Sequence, residues 1–135
     1  MFTLNVVTPE KVLAHRVEVE EVIVPGFRGE LNLLPGHAPI MTTLSEGVLR
    51  YRLKGESKQI KAAISWGYCE VSPSGIDILA ETAEFPEQID FARVEESLKK
   101  VEKELDHISD LDPELIEKYQ RKAKRARVRL SLKDK

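Results

Sequence analysis

The feature that most limits what this chain can become is a change of hydrophobic period at Phe85-Pro86. Before it, apolar residues alternate with polar ones or form short runs. Phe2, Leu4 and Val6 alternate with Thr3 and Asn5, and Val17 and Val19 alternate with Glu18 and Glu20, leading into the apolar residues 22–24. A period of two puts one set of side chains on one side of an extended strand. Residues 48–53 and 60–71 continue the pattern. Between them lie PGFRG, KGES and SPSG, in which proline presets φ and glycine supplies positive φ, so each reads as a reversal. Many short strands with frequent reversals predict an antiparallel sandwich or flattened barrel.

After Phe85-Pro86 the period becomes helical. Val94, Leu98, Val101, Leu105 and Ile108 recur at steps of three and four among Glu, Lys and Asp. A second stripe of Ile116, Tyr119, Ala123, Ala126 and Leu130 follows SDLDPE, where Asp112 suits an N-cap, Pro113 the first helical position and Glu114 the positive helix end. The short connection predicts an antiparallel hairpin. The fold class expected is therefore α+β, a β sandwich over residues 1–85 and a two-helix hairpin over 86–135. Alanines make the hairpin seam thin. Burying a leucine or valine is worth about 1.5–3 kcal/mol, an alanine far less, while ordering each residue costs about 1–2 kcal/mol. Such a hairpin depends on something else to choose its position.

Composition adds exclusions. The 135 residues are 41% hydrophobic, enough for one modest core. No apolar run is long enough to span a bilayer, and MFTLNVVTPEK lacks the order of a signal peptide, so a reducing cytoplasm is the expected setting. The single cysteine, Cys69, lies in an apolar run beside Glu70 and reads as core filler. His15, His37 and His107 are far apart in sequence, at no metal-ligand spacing, and neither a nucleophile elbow nor a phosphate loop occurs. No catalytic residue, metal or required cofactor is expected.

Charge is uneven beneath a net value of −2. RKAKRARVR, residues 121–129, supports three readings: a solvated helix face, a nucleic-acid contact, or docking onto an acidic protein or anionic ligand. Asp90 suits the cap of the first helix. Arg93 in its first turn opposes the helix dipole unless an anion sits there. Folding the hairpin about residues 110 and 111 sets position 93 opposite roughly 128, near Arg125 and Arg129, where a triphosphate would turn repulsion into charge-assisted contacts.

One segment is more specific. Gly29-Glu30-Leu31-Asn32-Leu33-Leu34-Pro35-Gly36-His37-Ala38-Pro39 resembles the pattern G-E-L-G-x-x-P-G-H-x-P of the epsilon subunit of bacterial and chloroplast F-type ATP synthases. Asn32 replaces a glycine, an exchange that fits a left-handed turn position. Val6-Val7-Thr8-Pro9, Ser65-Trp66-Gly67-Tyr68-Cys69-Glu70-Val71 (similar to S-G-G-F-x-E-V, with Trp66 in place of glycine) and Leu79-Ala80-Glu81-Thr82-Ala83-Glu84 extend the resemblance over nearly the whole chain.

The resemblance implies a sandwich of about ten strands and a helical hairpin in a non-catalytic central-stalk subunit. It couples proton-driven rotation to the catalytic head, on the cytoplasmic face of the bacterial plasma membrane and held there only through the complex. It implies Glu30 and His37 as contacts to the c-subunit ring, with His37 equally able to serve as a turn residue bonded to nearby backbone. Another sandwich surface would bind the gamma subunit. Arg121, Lys122, Lys124, Arg125, Arg127 and Arg129 would meet an acidic segment of the beta subunit in the α/β head and hinder hydrolysis. Ile89, Asp90, Arg93, Arg125 and Arg129 match an ATP-binding motif of some bacterial members, with Val94 where alanine is usual, and Glu84 aligns with a further contact of that site, so ATP is implied as a regulatory ligand. The alternative from another class is a free-standing sandwich module whose basic helix binds RNA.

Overall fold

Strand β2 (Val12–Gly26) organises the first half of the molecule. Six of its fifteen residues are Val or Ile, whose stiff β-branched side chains favour extended backbone. The computed structural model describes residues 2–36, 38–107 and 112–133. Around β2 lie β1 (Thr3–Val7), β3 (Gly29–Leu33), β4 (Ile40–Leu44), β5 (Gly47–Leu53), β6 (Gln59–Ile64), β7 (Gly67–Ser72), β8 (Gly75–Ala80) and β9 (Ala83–Glu84).

The early part of β2 pairs with β1, from Thr3↔Glu18 to Val7↔Val12, and its later part pairs with β5 and β3. A bulged register in the β1–β2 ladder bends the strand between these two duties. Arg16 there has φ +50°, and its N–H donates to Asn5 Oδ1 at 2.8 Å. One flank runs β2–β1–β8–β7–β4 and returns to β2 at Gly26↔Leu44; the other runs β3–β2–β5–β6–β9. Nine strands are thus present among the described residues. Every pairing is antiparallel except β1 with β8, which are separated by enough chain for the crossover a parallel pair needs.

The two flanks close on one core. Leu4, Val6, Cys69, Val71, Ile76 and Ile78 come from one side, and Val22, Val24, Leu33, Leu49, Tyr51 and Ile64 from the other, all buried. Burial pushes the Cys69 thiol up to about 12, with Asp77 adding a smaller upward push, so the thiol stays protonated and packs as an apolar group.

The chain divides into two compact units, residues 1–85 and 86–135. In the second, a 3-10 turn (Pro86–Gln88) precedes α1 (Phe91–His107), and α2 (Pro113–Leu130) packs against α1. Asp112 caps α2 by accepting from Leu115 N–H at 3.1 Å, with Pro113 and Glu114 in its first turn as the sequence predicts. Ile108, the last member of the first stripe, lies outside the described residues. The buried residues of the two helices are Ala123 and Ala126, and α1 contributes none. The seam is as thin as its alanines imply.

Candidate functional site

The outward residues of the β1–β8–β7–β4 flank are unusually apolar. Tyr68, Leu79 and Met41 are 49%, 56% and 67% exposed, and Trp66, on the turn before β7, is 43% exposed. The ladders align them: Thr43↔Tyr68, Tyr68↔Leu79 and Val7↔Leu79 make a row across four strands. Phe27, 74% exposed, extends the row beyond β4 through its N–H bond to the Thr43 carbonyl at 3.0 Å. Trp66 and Tyr68 meet edge to face, 6.3 Å between ring centroids at 79°, which holds both rings in place.

These side chains wall an open groove of about 460 Å³ between Val7, Pro9, Trp66, Tyr68, Leu79 and Glu81. Its floor requires Gly67. A Cβ there would lie 1.9 Å from the Leu79 carbonyl oxygen, so only glycine lets β7 and β8 approach this closely. Glu70, Asp77 and Glu81 are the charged residues in and just beyond these four strands, which carry no Lys or Arg.

The opposite flank carries a ladder of paired charges. Arg50 Nη2 lies 2.5 Å from Glu30 Oε2, Arg52 pairs with Glu20, and Lys54 Nζ lies 3.7 Å from Glu18. Arg52 holds the Glu20 carboxyl below its usual range, assisted by the Gly55 N–H.

Glu30 therefore stands at the start of β3, exposed and already paired with Arg50. A two-residue turn, Phe27-Arg28, precedes it, closed by Gly29 at φ +126°. The left-handed position expected at Asn32 is not there. Asn32 is extended within β3 opposite Ile23 and donates to Glu21 Oε2 at 3.1 Å, while Gly29 and Gly36 take the positive φ values. An asparagine is accommodated because the position needs an edge-strand polar group, not a turn. His37 lies outside the described residues.

In the second unit, Asp90 Oδ1 accepts from Arg93 N–H at 3.1 Å, the expected cap of α1. Arg93 is exposed in the first turn. The register differs from the loop count. Arg127 pairs with Glu102 at 3.5 Å and Lys133 with Glu95 at 3.6 Å, a register that does not set position 93 opposite 128. Loop arithmetic assigns the reversal to the middle of the connection, whereas side-chain packing along the seam sets the register.

Arg125 and Arg129 are half-buried on α2, and neither they nor Arg121 is free of partners. Lys124 and Arg127 are exposed, and Lys122 lies 5.6 Å from the centre of the Tyr119 ring. Glu84 sits on β9 in the first unit, and the other ATP-motif residues belong to the second. No cluster of metal-ligating side chains occurs among the described residues.

Residues 1–86 match the β-sandwich domain of the ATP synthase delta/epsilon chain. This chain belongs to the ATP synthase epsilon-chain family. The ATP synthase epsilon chain of Bdellovibrio bacteriovorus is 55% identical over 102 residues, 76% of this chain and 73% of that one. That of Koribacter versatilis is 46% identical over 104 residues, 77% and 71% respectively. Among solved structures, a chain of the Euglena gracilis mitochondrial ATP synthase (OSCP/F1/c-ring) superposes with a TM-score of 0.79 at 19% identity, covering 91% of this chain and 75% of that one. At that identity the likeness concerns the fold.

Membership makes the chain a non-catalytic subunit of the ATP synthase, in accord with the absence of catalytic motifs from its sequence. For an epsilon-family chain the informative surface is the apolar flank, which sequence reading did not single out. Tyr68 and Leu79 each occupy the outward slot of an alternating strand, where a polar residue is the usual choice. That misplaced apolarity was the available signal.

Proposed function

We propose that this epsilon-family chain is a rotor subunit of the central stalk of a proton-translocating F-type ATP synthase, and that it restrains ATP hydrolysis through its helical hairpin. The observation carrying this reading is the pairing of a β body with a shared buried core and one apolar outer face, and a hairpin whose second helix is basic and whose helices bury only Ala123 and Ala126. A rigid body with a fixed sticky face transmits torque to whatever it grips. A weakly seamed hairpin changes posture at low cost. In this reading the gamma subunit takes the apolar flank, and Glu30 and His37 meet the polar loops of the c ring. The chain then sits at the cytoplasmic face of the bacterial plasma membrane through these contacts alone; no helix among the described residues is long and apolar enough to cross a bilayer.

Hydrolysis is restrained when Arg121, Lys122, Lys124, Arg125, Arg127 and Arg129 reach an acidic segment of the beta subunit. ATP that bridges the Asp90–Arg93 end of α1 and Arg125 and Arg129 of α2 favours the folded hairpin by RT ln(1 + [L]/Kd), about 2.7 kcal/mol at a hundredfold excess over Kd. Falling ATP then releases the restraining form. Removal of residues 86–135 from the assembled enzyme tests the central statement: hydrolysis should rise severalfold while gamma remains bound. An unchanged hydrolysis rate would remove the inhibitory role. Calorimetric titration of the isolated chain with millimolar ATP tests the gating, and the absence of heat and of hairpin NMR shifts would remove it.

A further inference from the structure

The second unit keeps little apolar area out of water, and its two large buried side chains lie outside its helices. Among the described residues, the buried ones are Ala123 and Ala126 of α2, Ile89 ahead of α1 and Leu132 past the end of α2. Leu132 is 2% exposed although it stands in the last described turn, and it is not part of the core that fills the sandwich. A residue so near a chain end commonly frays unless something ties it down.

The turn that presents Leu132 is closely held. Ser131 N–H donates to the Arg127 carbonyl at 3.0 Å, and Ser131 Oγ donates to that of Val128 at 2.6 Å. Leu132 N–H and Lys133 N–H donate to the Arg129 and Leu130 carbonyls, each at 3.1 Å, so a tightened final turn meets helix carbonyls that would otherwise end unpaired. Lys133 Nζ lies 3.6 Å from Glu95 Oε1, which sets this turn beside the first turns of α1. The two contacts are unequal. Lys133 and Glu95 are each about half exposed, and such a pair contributes little in water, whereas a leucine taken out of water contributes several times more. Along the seam itself, two alanines do not match it.

We infer that residues 131–133 form a strap that holds the hairpin closed, with Leu132 as its working side chain, so that the end of the chain and not the helix seam sets how readily α2 leaves α1. Lys133 guides the strap into place; Leu132 keeps it there. Once the strap lifts, α2 is an 18-residue helix with one thin apolar stripe, marginal by itself in water. The strap concerns the closed hairpin alone, and only its bearing on hydrolysis rests on the restraining role proposed for the hairpin.

Hydrogen exchange of the full chain, followed by NMR at the Ala123 and Ala126 amides, tests this. Leu132→Ala and removal of residues 131–135 should each speed exchange at both amides by at least about tenfold, while amides of β2 and β5 keep the parent's rates. Those strands serve as the internal control, since the first unit has its own core. Leu132→Met should recover most of the loss, and Lys133→Gln should speed exchange by less than about threefold. A change under about twofold in both Leu132→Ala and the shortened chain overturns the strap. An effect of Lys133→Gln as large as that of Leu132→Ala also overturns it, because the ion pair would then be the hold. In the assembled enzyme, Leu132→Ala should lower hydrolysis by about twofold or more, since more hairpins then stand open. Faster exchange with unchanged hydrolysis leaves the strap standing and removes the restraining role.

Discussion

The two outer faces of the sandwich are built on the same alternation and end up with opposite characters. On the β3–β2–β5–β6 side the outward positions hold Glu30, Glu21, Arg50, Arg52 and Lys61, and most of the acids find a cation. On the β4–β7–β8 side they hold Met41, Tyr68 and Leu79; among the described residues Glu70 has no ion-pair partner there, and Asp77 accepts only from Asn5 Nδ2 at 2.8 Å. Beneath both lies one core with buried side chains of similar kinds. Alternation therefore decides which side chains enter the core and is silent about the outward set. A face that neutralises its own charges is finished as a surface. A face that keeps apolar area and spare charge calls for a partner.

If the faces differ only outwardly, equal damage beneath each should cost alike. Leu4, under the apolar face, and Leu49, under the charged one, are both fully buried. Leu4→Ala and Leu49→Ala should each lose about 2–5 kcal/mol in urea unfolding. A loss under 1 kcal/mol at either site would mean that the two flanks do not share one core. Next in size is Gly67→Ala, which drives a methyl group into the Leu79 carbonyl at the groove floor. It should cost about 1–3 kcal/mol and lower the melting temperature by several degrees. A melting temperature unchanged within a degree would refute the close approach of β7 and β8.

Smaller effects are expected on the charged face. Glu30→Gln removes an exposed pair with Arg50 and should change stability by less than about 1 kcal/mol, so that any defect of the assembled enzyme in coupled proton pumping reports on a contact to the ring. The smallest effect concerns pH. Glu20 titrates below the ordinary 4.5 because Arg52 and the Gly55 N–H favour its charged form, so its stabilising share is present above that value and is lost as pH falls through the depressed one. Thermal melts should show Arg52→Gln slightly less stable than the parent at pH 7 and indistinguishable near pH 2. A difference that persists in acid would assign it to packing by the Arg52 side chain instead.

Much of this was legible in the chain. The boundary at Phe85-Pro86, the caps at Asp90 and Asp112, and the burial of Cys69 follow from local chemistry, because period, capping side chains and apolar context act over a few residues. The Asn32 turn and the placing of Arg93 opposite residue 128 were misread for the complementary reason. Asn32 answers to a neighbouring strand through Glu21, and the hairpin register answers to packing along the α1–α2 seam, which the Arg127–Glu102 and Lys133–Glu95 pairs mark.

By itself the sequence determined the class of the fold, the point where strands give way to helices, and the family. Those properties are written in short-range patterns that survive whatever the chain packs against. Tertiary structure alone decided that Phe27, Tyr68, Leu79 and Val7, far apart along the chain, fall into one row, and that Trp66 turns the end of that row into a groove. Strand order and register place side chains beside one another across the sheet, and neither is fixed by the alternation that makes each strand.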